Sequence, residues 1–431
     1  MKRFLLILTV TVVAVTGVFA SGGKPESFAG TKLVLSSLDT SILRKNDNLL
    51  ALLKEKTGIE LAMDYIPESA YMTKLQVVLA AGSGEYDIMY ANNKMYPVLF
   101  PTGWIQPVDD YLKDPKLTNK DFDYADFVPG IAANVKHEGK IMGIPFHSES
   151  NLLYYNKKLL AENGFKEPPK TMLEVYEYAK KLHHPEKGYA GVALIGTREG
   201  NVNGYGWIMV WLALGGSWRP AGKTPYAVLA NPEALQAAEI WTDMLKNYGP
   251  PGISNYGWNE LYLAMQQEKV AMVISPTNDY PTYTDPKKSK IGEVMGYQCL
   301  KGPGEQYTVG NIAAWLMAKS GKHNNAAWAA IQFLTSKEAQ IKQVVEMNSV
   351  NPTRTSTLTS KEFAKYDPNW AAATKEAFAH GNLEYTPLIP QGGQIREYLA
   401  IALSKSLSGQ MSPKEAMEEA NANVIKLLAN K

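Results

Sequence analysis

Hydrophobic and polar positions alternate along the first hundred residues in a pattern that predicts strands and helices in turn. Short apolar runs at residues 32–36 and 60–65 predict strands, and the amphipathic segment 47–57 between them predicts a helix. A second helix at residues 70–81 is followed by a strand at residues 87–90. This order is typical of α/β folds, in which ligands bind at the carboxyl ends of the strands.

The same alternation continues through the rest of the chain. The clearest predicted elements there are a strand at residues 270–275 and four helices, at residues 172–182, 232–247, 259–267 and 413–428. Thr171 is placed to cap the first of these helices, and Ser412 to cap the last. Because the mature chain exceeds what one hydrophobic core usually organises, we expect two sizeable lobes.

The amino terminus has the pattern of a secretory signal peptide. Lys2 and Arg3 precede an apolar run at residues 4–15, and small residues end the segment at Ala20. The run is shorter than the roughly 20 apolar residues that span a bilayer. Since the only cysteine is Cys299, the predicted cleavage point offers no thiol for a lipid anchor. We therefore expect residues 1–20 to be removed and the mature protein to be periplasmic or extracellular.

Charge and motifs exclude several classes of function. Without Lys2 and Arg3 the basic residues equal the 42 acidic residues in number, which gives no reason to expect nucleic acid as a partner. The chain contains no nucleophile elbow, zinc-protease motif, phosphate-binding loop or dinucleotide fingerprint. No cofactor or metal is therefore expected.

Several ordered motifs resemble one known family. The most specific are GKIMGIP at residues 139–145, LYYNKKL at residues 153–159 and PPKT at residues 168–171. Weaker matches are GEYDI at residues 84–88, GWIQPVDD at residues 103–110, KVAMVI at residues 269–274 and the helix at residues 326–340. Together they resemble the family 1 extracellular solute-binding proteins, the maltose-binding-protein-like subunits of ABC importers that bind sugars.

The resemblance implies a type II periplasmic-binding-protein fold, an α/β architecture with two lobes, each a mixed sheet flanked by helices. A first lobe is expected to comprise residues 21–148 and 299–350, and a second lobe residues 149–298 and 351–431. The lobes would be joined by a hinge of three segments, near residues 146–151, 296–300 and 348–354. Such a hinge lets the lobes close on a ligand. The implied partners are a carbohydrate and the transmembrane permease subunits, and the implied state is a monomer.

Four candidate ligand-binding residues lie in the first half of the chain. Asp39 follows the first predicted strand, although it is equally suited to a turn or helix cap. Asn92 and Asn93 follow the strand at residues 87–90, where the resemblance implies polar ligand contacts. Glu149 lies where the resemblance implies a pocket carboxylate at the hinge, and a carboxylate suits paired sugar hydroxyls.

The remaining candidates would line the second side of the cleft. Tyr205 and Trp207 lie in a stretch that the resemblance places there, and their rings could stack on a sugar. Because Trp207 and Trp211 share helical spacing, one of them is expected to face the core, and Tyr205 is the preferred stacking platform. Where the family often has Gly-Pro-Trp after the strand at residues 270–275, this chain has Asn278 for hydrogen bonding and Tyr280 for stacking.

Two further candidates come later in the chain. Asn311 follows Gly310, where a glycine lets the backbone approach a ligand. Arg396 could stack on a ring or pair with a carboxylate, so a uronate-type ligand is compatible with the sequence, and a surface salt bridge is an equally good interpretation.

Two alternatives stay open. An exported glycoside hydrolase would use a pair of carboxylates such as Glu149 and Asp39, about 5 to 10 Å apart. A binding protein that serves a chemosensory receptor would share the same fold and the same site. The sequence does not separate transport from sensing.

Overall fold

The buried apolar side chains of the described residues form two separate clusters, each built on its own β-sheet. The computed structural model describes residues 28–44, 46–305, 307–347 and 352–429. The signal peptide expected at residues 1–20 lies outside the described residues, as do residues 348–351 of the third expected hinge segment. None of the helices within the described ranges is both long and apolar enough to cross a lipid bilayer.

Strands and helices alternate through both lobes. The strands are β1 (Lys32–Leu38), β2 (Glu60–Ile66), β3 (Ile88–Asn92), β4 (Ile105–Gln106), β5 (Lys136–His137), β6 (Lys140–Ile141), β7 (Ile144–Glu149), β8 (Asn151–Asn156), β9 (Ala190–Ala193), β10 (Val270–Pro276), β11 (Met295–Gln298), β12 (Thr308–Val309), β13 (Asn311–Ala318) and β14 (Gly381–Asn382). The α-helices are α1 (Ser41–Arg44), α2 (Asp47–Thr57), α3 (Glu68–Ala81), α4 (Tyr96–Leu99), α5 (Asp109–Lys113), α6 (Pro129–Asn134), α7 (Lys157–Glu162), α8 (Met172–Lys181), α9 (Asn203–Ala213), α10 (Pro232–Tyr248), α11 (Trp258–Gln266), α12 (Tyr280–Thr284), α13 (Asn324–Leu334), α14 (Lys337–Met347), α15 (Thr355–Leu358), α16 (Pro368–Ala379), α17 (Gly392–Leu407) and α18 (Pro413–Ala429).

Local signals in the sequence account for several of these boundaries. Helix α2 has the predicted bounds and ends at Gly58, whose φ of 76° is a left-handed conformation that favours glycine. Thr171 caps α8 by accepting a hydrogen bond from the Glu174 N–H at 3.2 Å. Strand β3 extends two residues beyond the prediction, so Asn92 lies in the strand and not in the loop that follows it.

Both sheets are mixed, as expected. In the first sheet the order is β2-β1-β3-β13-β4, and β7 also pairs with β13. Strands β1, β2 and β3 run parallel, whereas β13 runs antiparallel to β3, β4 and β7. In the second sheet the order is β11-β8-β10-β9, with only β10 and β9 parallel. This arrangement confirms the two-lobed α/β fold class.

The first connection between the lobes is very short. Strand β7 of the first sheet ends at Glu149 and β8 of the second sheet begins at Asn151, so Ser150 alone links them. The Ser150 carbonyl accepts a hydrogen bond of 2.8 Å from the Thr277 N–H at the end of β10. The adjacent edges of the two sheets are therefore held within a few ångströms of each other.

Part of the segment expected to follow the second connection packs with the second lobe. Residues 299–309 were expected in the first lobe, yet Cys299, Leu300, Tyr307 and Val309 are buried in the cluster of the second lobe. Strand β12 at residues 308–309 pairs with β14, which precedes the second-lobe helix α17. We propose that the chain re-enters the first lobe at Gly310, directly before β13.

The third connection is clamped to the first lobe by Arg354, which is 1% exposed. Its guanidinium donates to the carbonyls of Phe122 and Thr335 at 2.7 Å each and lies 3.3 Å from the Asp126 carboxylate. It also lies 4.0 Å from the centre of the Phe127 ring. An arginine can be buried at low cost when its donors find this many acceptors.

Replacing Arg354 by Met should destabilise the protein by about 3–5 kcal/mol, because the substitution removes the donors to three backbone carbonyls and the positive charge beside Asp126. Urea-induced unfolding followed by circular dichroism measures this change. The control Arg219→Gln removes an arginine that pairs with Glu384 at the surface and should cost no more than about 1 kcal/mol. Equal losses for the two variants would contradict the role given to Arg354.

Candidate functional site

Three polar side chains share one edge of the first sheet. Strand β7 ends there at Glu149, β3 ends there at Asn92, and the antiparallel β13 begins there at Asn311. The register pairs Asn311 with Glu149, and Ala313 with Asn92. Because β13 runs in the opposite direction, its first residue meets the last residues of its neighbours.

Glu149 is the central carboxylate of this edge. Its Oε1 accepts a hydrogen bond of 2.6 Å from the Asn311 amide, and its Oε2 lies 3.3 Å from the His147 ring nitrogen. Burial alone would raise the pKa of Glu149, but the bonds from His147 and Asn311 and the nearby positive charge of Lys94 hold it below its ordinary value. The carboxylate is therefore ionised at neutral pH and remains an acceptor.

The facing edge belongs to the second sheet. Strand β10 ends at Pro276, paired with Asn151 at the start of β8, and a single helical turn at Thr277–Asp279 follows. Both polar atoms of the Asn151 side chain and the Oδ1 of Asn278 are buried without a hydrogen-bond partner among the described residues. Native proteins pair most buried polar groups, so unpaired amides at a sheet edge are candidate ligand contacts.

Two tyrosines complete the second-lobe side. The Tyr205 ring packs edge-on against Trp258 at 5.6 Å and against Tyr385 at 6.1 Å. The hydroxyl groups of Tyr205 and Tyr385 are buried and have no partner among the described residues. Burial and the charge of Glu149 raise the pKa of both hydroxyls, so they remain protonated donors.

Asp279 lies next to Asn278 and is hydrogen-bonded within the second lobe. Its Oδ1 accepts from the Tyr262 hydroxyl at 3.0 Å, and its Oδ2 accepts from the Ser275 hydroxyl. Burial raises the pKa of Asp279 to about 7, against the lowering effect of these two bonds, and Glu149 raises it further. Because both carboxylate oxygens are bonded to the protein, Asp279 orders the turn that carries Asn278.

The lobes also touch directly across the opening. The side-chain amide of Asn93, in the first lobe, donates to the carbonyls of Gly310 and Leu383 at 3.0 and 3.2 Å. Leu383 precedes Tyr385 in the second lobe, and the other amide atom of Asn93, Oδ1, is buried without a partner among the described residues. The first lobe is thus hydrogen-bonded directly to the second lobe at this point.

We call the side chains around this opening the cleft cluster. Its members, from both lobes, are Asn93, Lys94, Glu149, Asn151, Tyr205, Asn278, Asn311, Tyr385 and Arg396. They offer amide, phenol, carboxylate and cationic groups with unused hydrogen-bonding capacity, which suits a solute that carries several hydroxyls. Within the described ranges, no group of three or more His, Cys, Asp or Glu side chains could hold a metal ion.

A model of the bacterial extracellular solute-binding proteins matches residues 45–341, more than half of the chain. The chain belongs to this family. The matched segment contains Glu149, Asn151, Tyr205, Asn278 and Asn311 of the cleft cluster.

Relatives within the family extend the match over most of the chain. The erythritol/L-threitol-binding protein of Mycolicibacterium smegmatis is 24% identical over 79% of this chain and 74% of its own length. The mannitol-binding protein of Pseudomonas aeruginosa is 24% identical over 85% of this chain and 86% of its own length. A crystal structure of an ABC transporter solute-binding protein from Agrobacterium radiobacter, in complex with ribitol, covers 93% of this chain and 100% of its own, with a TM-score of 0.82 and 24% identity. The fold of the family is therefore the fold of this chain.

Most of the residues expected from the sequence lie together in the structure. Six of them belong to the cleft cluster: Asn93, Glu149, Tyr205, Asn278, Asn311 and Arg396. Asn92 lies at the same sheet edge, but its amide donates to the Tyr90 hydroxyl at 3.1 Å and its oxygen accepts from the Lys94 N–H, so it shapes the turn.

Three expected residues lie outside the cleft cluster. Asp39 is exposed and pairs with Arg44 at 2.7 Å, which corresponds to its alternative role in a turn. Trp207 has no exposed surface and stacks on Trp211 in the second core, because its face of α9 points inward. Tyr280 packs against Trp370 at a ring distance of 4.7 Å. The complete burial of Trp207 corrects its expected stacking to a packing role, whereas Tyr280 is half-buried and its expected contact with a ligand stays a prediction.

Sequence reasoning missed Lys94, Asn151, Asp279 and Tyr385. A local signal exists for Lys94 and Asp279, which directly follow Asn93 and Asn278, and for Asn151, which lies two positions after Glu149. No local signal marks Tyr385, which reaches the cleft through the packing of the loop before α17.

Replacing Asp279 by Asn should weaken the pH dependence of stability. The unfolded carboxyl titrates near 3.8 and the folded one at about 7, so folding takes up a proton between these values and stability falls as pH rises through that window. An amide does not titrate. Between pH 5 and pH 8 the ligand-free wild type should lose about 1 kcal/mol or more relative to Asp279→Asn, measured by urea-induced unfolding at each pH. Parallel pH profiles would contradict the buried titration.

Proposed function

We propose that this protein is an exported binding protein that captures a small polyhydroxylated solute, a polyol or a monosaccharide, in the cleft and delivers it to the permease of an ABC importer. The observation that carries the proposal is the set of buried, unpaired amide and phenol groups that both lobes present to one opening. Such groups can each exchange a hydrogen bond with a ligand hydroxyl, and closure of the lobes would surround the ligand.

The distribution of tryptophan favours a small solute over an oligosaccharide. Seven of the nine tryptophans are completely buried in the two cores: Trp207, Trp211, Trp218, Trp241, Trp315, Trp328 and Trp370. Of the other two, Trp258 supports Tyr205 and Trp104 packs against the first core. A cleft that binds several sugar rings needs several aromatic faces, whereas a hydroxylated chain mainly needs hydrogen-bond partners.

The solutes in the names of the relatives are also small. The proteins reported above bind four-carbon and six-carbon polyols, and the structural neighbour contains ribitol. Membership in a family of extracellular solute-binding proteins supports both parts of the proposal, export and a role in ABC import.

We infer that the protein has no hydrolase activity. Asp39, the expected second carboxylate, is engaged by Arg44 at the surface, and both oxygens of Asp279 are bonded by Ser275 and Tyr262. Neither Asp39 nor Asp279 is therefore free to act as the acid that a partnership with Glu149 would require. Release of nitrophenol from aryl glycosides would contradict this inference.

Isothermal titration of the mature chain, residues 21–431, tests the proposal. The panel should contain erythritol, ribitol, D-mannitol, D-sorbitol, D-glucose and maltotriose, with amino acids and a dipeptide as the other solute classes. We expect one site per chain for at least one polyol or monosaccharide, with a Kd below about 1 mM, and weaker binding of maltotriose. Binding of amino acids or peptides alone would overturn the proposal.

Replacing Glu149 by Gln should weaken binding of the best solute in that panel by about 1–3 kcal/mol, because an ionised acceptor of buried hydroxyls becomes a neutral amide. The control Glu239→Gln changes an exposed glutamate on α10 and should leave Kd unchanged. Equal Kd values for Glu149→Gln and the wild type would remove Glu149 from the ligand contacts.

A further inference from the structure

Asn93 connects the two lobes through its side chain. Its main chain belongs to the first lobe, where the Asn93 N–H donates to the Ile312 carbonyl of β13 at 3.0 Å, and the residue is 1% exposed. The side-chain amide donates to the carbonyl of Gly310, which directly precedes β13, and to that of Leu383 in the second lobe. Both protons of this amide are therefore used at the boundary between the lobes.

Leu383 belongs to a short run of the second lobe, residues 382–386, which we call the Tyr385 segment. The ring of Tyr385 packs in the second core and lies 6.1 Å from the ring of Tyr205, the other tyrosine of the cleft cluster. The hydroxyl groups of both tyrosines are buried and have no partner among the described residues. The position of the segment therefore decides where one of these unpaired donors of the cleft lies.

The main chain of the Tyr385 segment is hydrogen-bonded to both lobes. From the second lobe, the Trp218 indole donates to the Tyr385 carbonyl at 2.9 Å. From the first lobe, the Asn93 amide donates to the Leu383 carbonyl at 3.2 Å. Because the bond from Asn93 crosses the boundary, it can form only when the lobes are close together. Separation of the lobes would leave the segment with fewer restraints and a wider range of conformations.

We propose that Asn93 is a positioning residue for the solute. When the lobes close, its bond to the Leu383 carbonyl fixes the Tyr385 segment, and the Tyr385 hydroxyl is then placed to donate to a hydroxyl of the solute. Binding of the solute and the bond between the lobes stabilise each other, because each favours the closed arrangement. The inference rests on the proposed function, since it assigns a role in binding that same solute.

Asn93 could also contact the solute itself. Its Oδ1 is buried without a partner among the described residues and can accept a bond from a hydroxyl. A direct contact contributes to affinity independently of Tyr385, whereas positioning acts through Tyr385. The two roles therefore differ in whether the effects of removing the Asn93 amide and the Tyr385 hydroxyl multiply.

A double-mutant cycle separates these roles. Asn93→Ala, Tyr385→Phe and the double variant of the mature chain are titrated calorimetrically with the polyol or monosaccharide that the wild type binds best. We expect each single substitution to raise Kd about tenfold and the double variant to raise it by no more than about thirtyfold, whereas independent effects would give about a hundredfold. The control Asn247→Ala removes an exposed amide on α10 and should leave Kd unchanged.

Hydrogen exchange followed by mass spectrometry reports on the Tyr385 segment itself. In the wild type, a saturating concentration of the same solute should slow the exchange of the backbone amides in this segment, because the closed lobes restrain it. In Asn93→Ala this protection should be lost at saturating solute, while the amides of β10 in the same lobe exchange as in the wild type. A general loss of stability would instead speed exchange in both places.

Several results would overturn the inference and leave the proposed function intact. They are an unchanged Kd for either single variant, a Kd for the double variant that rises by more than about thirtyfold, and exchange of the segment in the wild type that the solute does not slow. If the wild type binds no polyol or monosaccharide, both the inference and the proposed function fail.

Discussion

The single residue between β7 and β8 is the constraint on which the site depends. With only Ser150 as a spacer, the last residue of one sheet and the first residue of the other cannot separate by more than about 7 Å, the reach of two extended peptide units. Glu149 and Asn151 are therefore neighbours although they belong to different lobes. Of the other members of the cleft cluster, Asn311 begins β13, which pairs with β7, and Asn278 follows β10, which pairs with β8.

Much of the fold could be predicted because its signals are local. Gly58, Thr171 and the proline at the start of α18 mark helix ends through backbone conformation and capping, which depend on a few adjacent residues. The boundary of the second connection could not be predicted in this way. Whether residues 299–309 pack in one lobe or the other depends on contacts of Cys299 and Tyr307 with distant parts of the chain, which no local pattern reports.

The same distinction between local and long-range signals applies to the residues of the candidate site. Residues at the ends of strands, such as Glu149 and Asn311, could be found because a strand end is a position that the pattern predicts. Trp207 lies in a core and not at a ligand, because an aromatic residue near a loop has the same sequence signature in both places.

The clamp around Arg354 has a mechanical consequence. It fixes one end of the third connection to the first lobe, while the taut main chain at Ser150 fixes a second point on the boundary between the lobes. If the second lobe is attached to the first at these two points, it can rotate about the line that joins them. A translation of one lobe along the other would require the main chain to stretch. Displacement under such a rotation grows with distance from the axis, so residues on the outer rim sweep the widest arc while the floor around Glu149 stays nearly stationary.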